Sequence, residues 1–89
     1  MKIPARSDSP RYNRLKKRAL EIFVRHGGWL SPSEWAVLAA FFPVRAAYSY
    51  LKRLYGFGLL ERREALGKGV AYRLSERGRQ RFSWLVRQG

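Results

Sequence analysis

Eighty-nine residues without a cysteine carry 19 Lys and Arg against six Asp and Glu, a formal charge of +13. That length holds one domain with a modest core, and the missing thiols exclude disulfide frameworks, thiolate zinc sites and cysteine nucleophiles. A hydrophobic content of 46%, with three Trp, five Tyr and five Phe, marks a folded domain rather than a disordered chain, and the charge asks for a polyanion, nucleic acid before an anionic membrane surface.

The charge is segregated. Residues 1–25 hold eight basic residues and two acids, residues 26–44 hold one acid and no Lys or Arg, and residues 45–89 hold eleven basic residues and three acids. This pattern predicts a buried central element between two polyanion-facing ones.

Residues 1–10 read as a basic, flexible leader and residues 11–89 as the folded domain. The leader has no apolar stretch of the signal-peptide kind, and no run approaches the roughly 18 apolar residues of a membrane span. A cytoplasmic protein without a membrane partner is therefore expected. Ser9-Pro10 supplies a cap and a first-turn proline. Over residues 11–26, Leu15, Ala19, Ile22 and Phe23 recur at helical spacing, and Gly27-Gly28 ends the helix.

"SPSE", from Ser31 to Glu34, is a capping box with proline at the first helical position. Trp35, Leu38, Ala39 and Phe42 are the expected inward stripe of this second helix, with Trp29 also expected in the core. Pro43 breaks it and opens a third, one or two residues away, so the two meet at a steep angle. Over residues 43–55, Val44, Ala47, Leu51 and Leu54 share one face. Arg45, Tyr48, Ser49, Lys52 and Arg53 occupy the other, and Gly56 is the expected C-cap. Val70, Tyr72 and Leu74 alternate at strand period, and Gly67-Lys68-Gly69 makes the turn of a β-hairpin over residues 59–74. Ser75 caps a last helix with Phe82, Leu85 and Val86 inward, weakened near its start by Gly78.

This order resembles the winged helix-turn-helix domain: an α+β, mostly α fold of three helices, a two-stranded β-hairpin wing and a C-terminal helix. Leu51, Leu54, Gly58, Leu59-Leu60 and Glu61-Arg62-Arg63 are similar to the recognition-helix end and first wing strand of bacterial transcriptional regulators of the multiple-antibiotic-resistance and phenolic-acid-repressor types. Tyr72, Leu74, Ser75 and Gly78 are similar to their return strand and capped helix. "AFFPVRAA" departs from the glycine and small polar cap usual before the recognition helix. The long dimerisation helices of the larger members have no counterpart, nor do the cysteine clusters of the metal-sensing ones.

The resemblance implies sequence-specific binding of double-stranded DNA, with helix 43–55 in the major groove and the hairpin as wing. Arg45 lies in the first turn, where recognition helices touch bases, and Tyr48 and Ser49 suit bases or phosphates. Lys52 and Arg53 suit phosphates. Lys68 suits the minor groove or its flanks, and Arg62, Arg63 and Arg73 extend the basic surface. Arg14, Lys17 and Arg18 reach adjacent backbone, and a homodimer through the first and last helices is expected. Trp84 is either a dimer contact or a cap on the core. Arg77, Arg79, Arg81 and Arg87 read as a solvated helix face.

Catalysis finds no support. His26 stands alone at a helix end, and the acids are scattered, so no catalytic, metal or cofactor site is expected. Rival readings are a winged-helix module for RNA or protein, and a basic domain binding polyanions without sequence choice. In the cell a nucleoid-associated location follows from the DNA-binding expectation.

Overall fold

The computed structural model describes residues 10–65, 67 and 69–88. The expected leader, up to residue 9, and Lys68 at the wing tip lie outside them. Helix α1 spans Pro10–His26, α2 Pro32–Ala39 and α3 Val44–Gly56; strands β1, Leu60–Ala65, and β2, Gly69–Leu74, form an antiparallel hairpin; α4 spans Glu76–Gln88.

On α1 the buried positions are Ala19, Leu20 and Phe23, with Ile22 packed at their margin. Gly27 takes the left-handed conformation (φ 74°) that lets its N–H close on Phe23 O at 2.9 Å, and so stops the helix. The chain then bridges to the hairpin. Leu30 and Tyr72 exchange both backbone hydrogen bonds at 2.8 Å, which lays the segment before α2 along the free edge of β2.

The capping box of α2 forms as expected. Ser31 Oγ accepts from Glu34 N at 3.1 Å and Glu34 Oε1 from Ser31 N at 2.9 Å. These bonds, the backbone one foremost, hold the Glu34 carboxyl below its ordinary pKa. The inward stripe differs from the expected one. Trp35 is buried, Ala36 joins it, and Leu38 and Phe42 face outward at 51% and 64% exposure. The helix ends three residues earlier than a stripe reaching Phe42 requires. Ala40 enters the left-handed region (φ 52°), and its N–H satisfies Ala36 O and Val37 O. Reversal there swings Phe41 inward, where its ring stacks on Tyr50 at 5.5 Å, and turns Phe42 out. Residues 40–43 separate α2 from α3, a longer link than one or two residues.

In α3 the expected inner face is the one observed: Ala47, Leu51 and Leu54 are at most 1% exposed. Gly56 is the last helical residue rather than the cap. Phe57 closes the helix, and Gly58 (φ 80°) makes the reversal. Leu60 pairs with Leu74, Arg62 with Tyr72, Glu61 with Arg73 and Arg63 with Ala71. Leu60, Tyr72 and Leu74 are buried, so Glu61, Arg63 and Arg73 lie on the outer sheet face.

Helix α4 is fastened at its start. Ser75 Oγ accepts from Gly78 N at 2.9 Å and donates to Gly58 O at 2.6 Å. Gly78 packs so closely on Leu59 that a Cβ there would strike its carbonyl oxygen and Leu74 Cδ1. Leu85 is buried and Phe82 and Trp84 are half-buried against the core, whereas Val86 is 47% exposed and does not join it. Trp35 ties the first two helices together, its Nε1 donating to Ala19 O at 3.3 Å.

Candidate nucleic-acid interface

The two faces of α3 follow from its period. Burying Ala47, Leu51 and Leu54 turns Arg45, Tyr48, Ser49, Lys52 and Arg53 outward, and all five are exposed. The helix sequence contains no acid. Among the described residues no ion pair engages Arg45, Lys52 or Arg53. Pro43, Arg45, Ser49 and Arg53 line a shallow concavity of about 350 Å³ along the first turns of the helix. Tyr50 closes its inner side. Burial pushes the Tyr50 phenol up to about 12, against the pull of Arg53.

The wing arginines are held otherwise. Arg62 Nη2 donates to Glu64 Oε1 at 2.7 Å, and this bond foremost raises its pKa above the ordinary arginine value. Arg73 Nε donates to Glu61 Oε1 at 2.7 Å. Arg63 and Arg73 also stack on Trp29, with guanidinium carbons 4.4 and 4.6 Å from the ring centroid. Trp29 is therefore half-buried on the outer sheet face and not in the core. The reason lies in register: Leu30 turns inward opposite Tyr72, so its neighbour turns outward. Its alternation with Leu30 was a signal in the sequence, masked by the lack of a longer strand pattern.

On α1, Arg14 and Arg18 are exposed and Lys17 is half-buried. Arg18 Nη2 donates to Ala39 O at 3.1 Å, where it caps the end of α2. Lys16, which periodicity left unremarked, is 8% exposed, its Nζ 5.6 Å from the centre of the Phe57 ring. With Arg77 and Arg81 it lines a second concavity of about 410 Å³ at the α3–β1 joint. His26 is exposed at the end of α1. Among the described residues no group of three or more His, Cys, Asp and Glu could hold a metal ion, and no helix is long and apolar enough to cross a membrane.

Helix pair, third helix, hairpin and fastened last helix together are the winged-helix fold. The solved structure of the oxidised form of MarR from E. coli is similar to it, with a TM-score of 0.67 and 21% sequence identity over 80% of this chain. The match takes in 50% of the MarR chain, so the present chain corresponds to about half of that protein. No protein-family model and no curated protein matches the sequence.

Proposed function

We propose that this chain is a sequence-specific double-stranded DNA-binding protein, a transcriptional regulator of the winged-helix kind, with α3 as the helix that enters the major groove. The observation that carries the reading is the acid-free outer face of α3, where Arg45, Lys52 and Arg53 stand unpaired among described residues on a rigid, core-anchored helix. Arg45 reads a guanine edge, Tyr48 and Ser49 contact bases or phosphates, and Lys52 and Arg53 clamp the backbone. The wing, with Arg62, Arg63, Lys68 and Arg73, follows the flanking groove, and Arg14, Lys17 and Arg18 lie toward adjacent phosphates. Similarity to MarR in fold supports the class of protein. The chain acts as a binding module, not an enzyme, in the cytoplasm at the nucleoid, as a homodimer joined through α1 and α4.

Duplex binding across a salt series tests this. With about six phosphates contacted, log K falls against log salt with a slope near −5. Arg45→Ala costs about 1–3 kcal/mol and relaxes preference at one base position, whereas Lys52→Ala weakens all sequences alike and lowers the slope by about one. Equal affinity for single-stranded RNA would sink the reading in favour of an RNA-binding module. Selection from random duplexes should enrich a palindrome; no enrichment means binding without sequence choice.

A further inference from the structure

The outer sheet face carries an arrangement that a solubilising surface does not need. The Leu30–Tyr72 bridge brings Trp29 alongside β2. On β1, Arg63 lies opposite Ala71, whose small side chain leaves the guanidinium free to cross the sheet to the indole. Arg73 reaches the same ring from β2. Two like charges thus share one half-buried aromatic ring, attracted by its π-electrons, while Arg73 keeps its ion pair with Glu61. Among the described residues Glu61 pairs with Arg73, through Nε, and no ion pair engages Arg63.

A guanidinium held over an indole face keeps N–H groups available for two oxygens of a phosphate; Arg73 gives its Nε–H to Glu61 and has its Nη groups left for that role. Stacking also fixes a side chain that would otherwise lose several rotatable bonds on binding, so the ordering cost is met before the ligand arrives. From these contacts we propose that Trp29, Arg63 and Arg73 form a phosphate seat on the wing, which receives a backbone phosphodiester of the duplex that α3 reads. The seat rests on the DNA-binding reading above. Trp29 is its positioning residue, Arg63 and Arg73 are its donors, and Glu61 opposes it by placing a negative charge beside the incoming phosphate.

The test compares the full chain with Arg63→Ala, Trp29→Leu, Trp29→Phe, Glu61→Gln and, as reference, Lys52→Ala on one duplex across a salt series. Arg63→Ala should lower the salt slope by about 0.9, as one phosphate contact is lost. Trp29→Leu, which changes no charge, should weaken binding about twofold to fivefold, with Trp29→Phe between it and the parent because a ring is kept. Glu61→Gln should tighten binding. Thermal unfolding shows whether Trp29→Leu still folds; if it does not, Arg63→Ala and Trp29→Phe carry the comparison. In NMR spectra the Trp29 indole N–H, identified by its loss in Trp29→Phe, should shift as duplex is added. Overturning the seat takes a parent that binds and a Lys52→Ala variant that weakens, while Arg63→Ala keeps the parent slope and the indole signal stays still. A parent chain that binds no duplex at all brings down the DNA-binding reading and the seat with it, a result unlike that one.

Discussion

Tyr50 shows how much one side chain's environment departs from its sequence context. It lies one residue from the exposed Ser49, yet its ring is sandwiched by contacts, stacked on Phe41 at 5.5 Å and tilted against Trp35 at 6.0 Å. Burial moves its phenol from 10.0 to about 12, so the folded state disfavours ionisation more than the unfolded chain does. A folded pKa above the unfolded one gives stability that is whole below pH 10 and lost as pH climbs through about 12. Denaturant unfolding across that window should therefore show the parent losing stability more steeply than Tyr50→Phe. Parallel curves would mean the phenol is solvated in the folded state. The place of Trp29 was not legible in the sequence, because a Trp in a segment without Lys or Arg reads as core until its neighbour's pairing partner is known.

At the scale of elements, the joint between α3 and β1 holds the wing in place. Leu59 N donates to Leu54 O, Ser75 N to Leu59 O, and Ser75 Oγ to Gly58 O, so α3, both strands and α4 meet at one short stretch. Gly78 belongs to that joint. Helix propensity alone says Gly78→Ala should stabilise α4 by up to about 1 kcal/mol. The contact with Leu59 O says the opposite, because an added methyl must displace backbone or the Leu74 side chain. Overpacking costs about 1–3 kcal/mol, so Gly78→Ala should lower the thermal midpoint by at least several degrees. Gly56 is the control: no atom lies within 4 Å of a Cβ there, and Gly56→Ala should raise stability by about 0.5–1 kcal/mol. Thermal unfolding of the two variants decides it, and a stabilised Gly78→Ala would show the α4 contact to be loose. In the sequence Gly78 stood out through the family resemblance and as a weak point of a helix, but its packing reason lies nineteen positions away in the chain, at Leu59.

For the molecule as a whole, charge and neutrality are divided otherwise than the sequence pattern implied. The uncharged segment does supply Trp35, Ala36 and Ala39 to the core, but it also exposes Val37, Leu38 and Phe42. Cations appear on every other element, so no single face accounts for the charge of +13. The homodimer proposed through α1 and α4 uses residues that are exposed and apolar, Val24 at 40% and Val86 at 47%. Light scattering with size exclusion should give twice the 10.4 kDa chain mass. Val86→Asp should shift it toward the single chain and shorten the protected stretch of duplex to one half-site, since a buried unpaired charge is costly at such a contact. A parent that runs as a single chain at micromolar concentration, bound or free, would remove the dimer.

What the sequence by itself determined is what neighbouring residues impose on one another. The capping box at Ser31 and Glu34, the stop at Gly27, the two-faced period of α3 and the alternation of β2 are all local, and each appears in the structure where the sequence puts it. Together they were enough for the fold and for an exposed basic face on α3. Tertiary structure alone decided where α2 ends, because only packing against Tyr50 selects Phe41 over Phe42 for the interior. It likewise decided the fit of Gly78 under Leu59, the burial of Lys16 and the stacking of Arg63 and Arg73 on Trp29. These depend on contacts between residues distant in the chain, whose energies exist only once the elements have met.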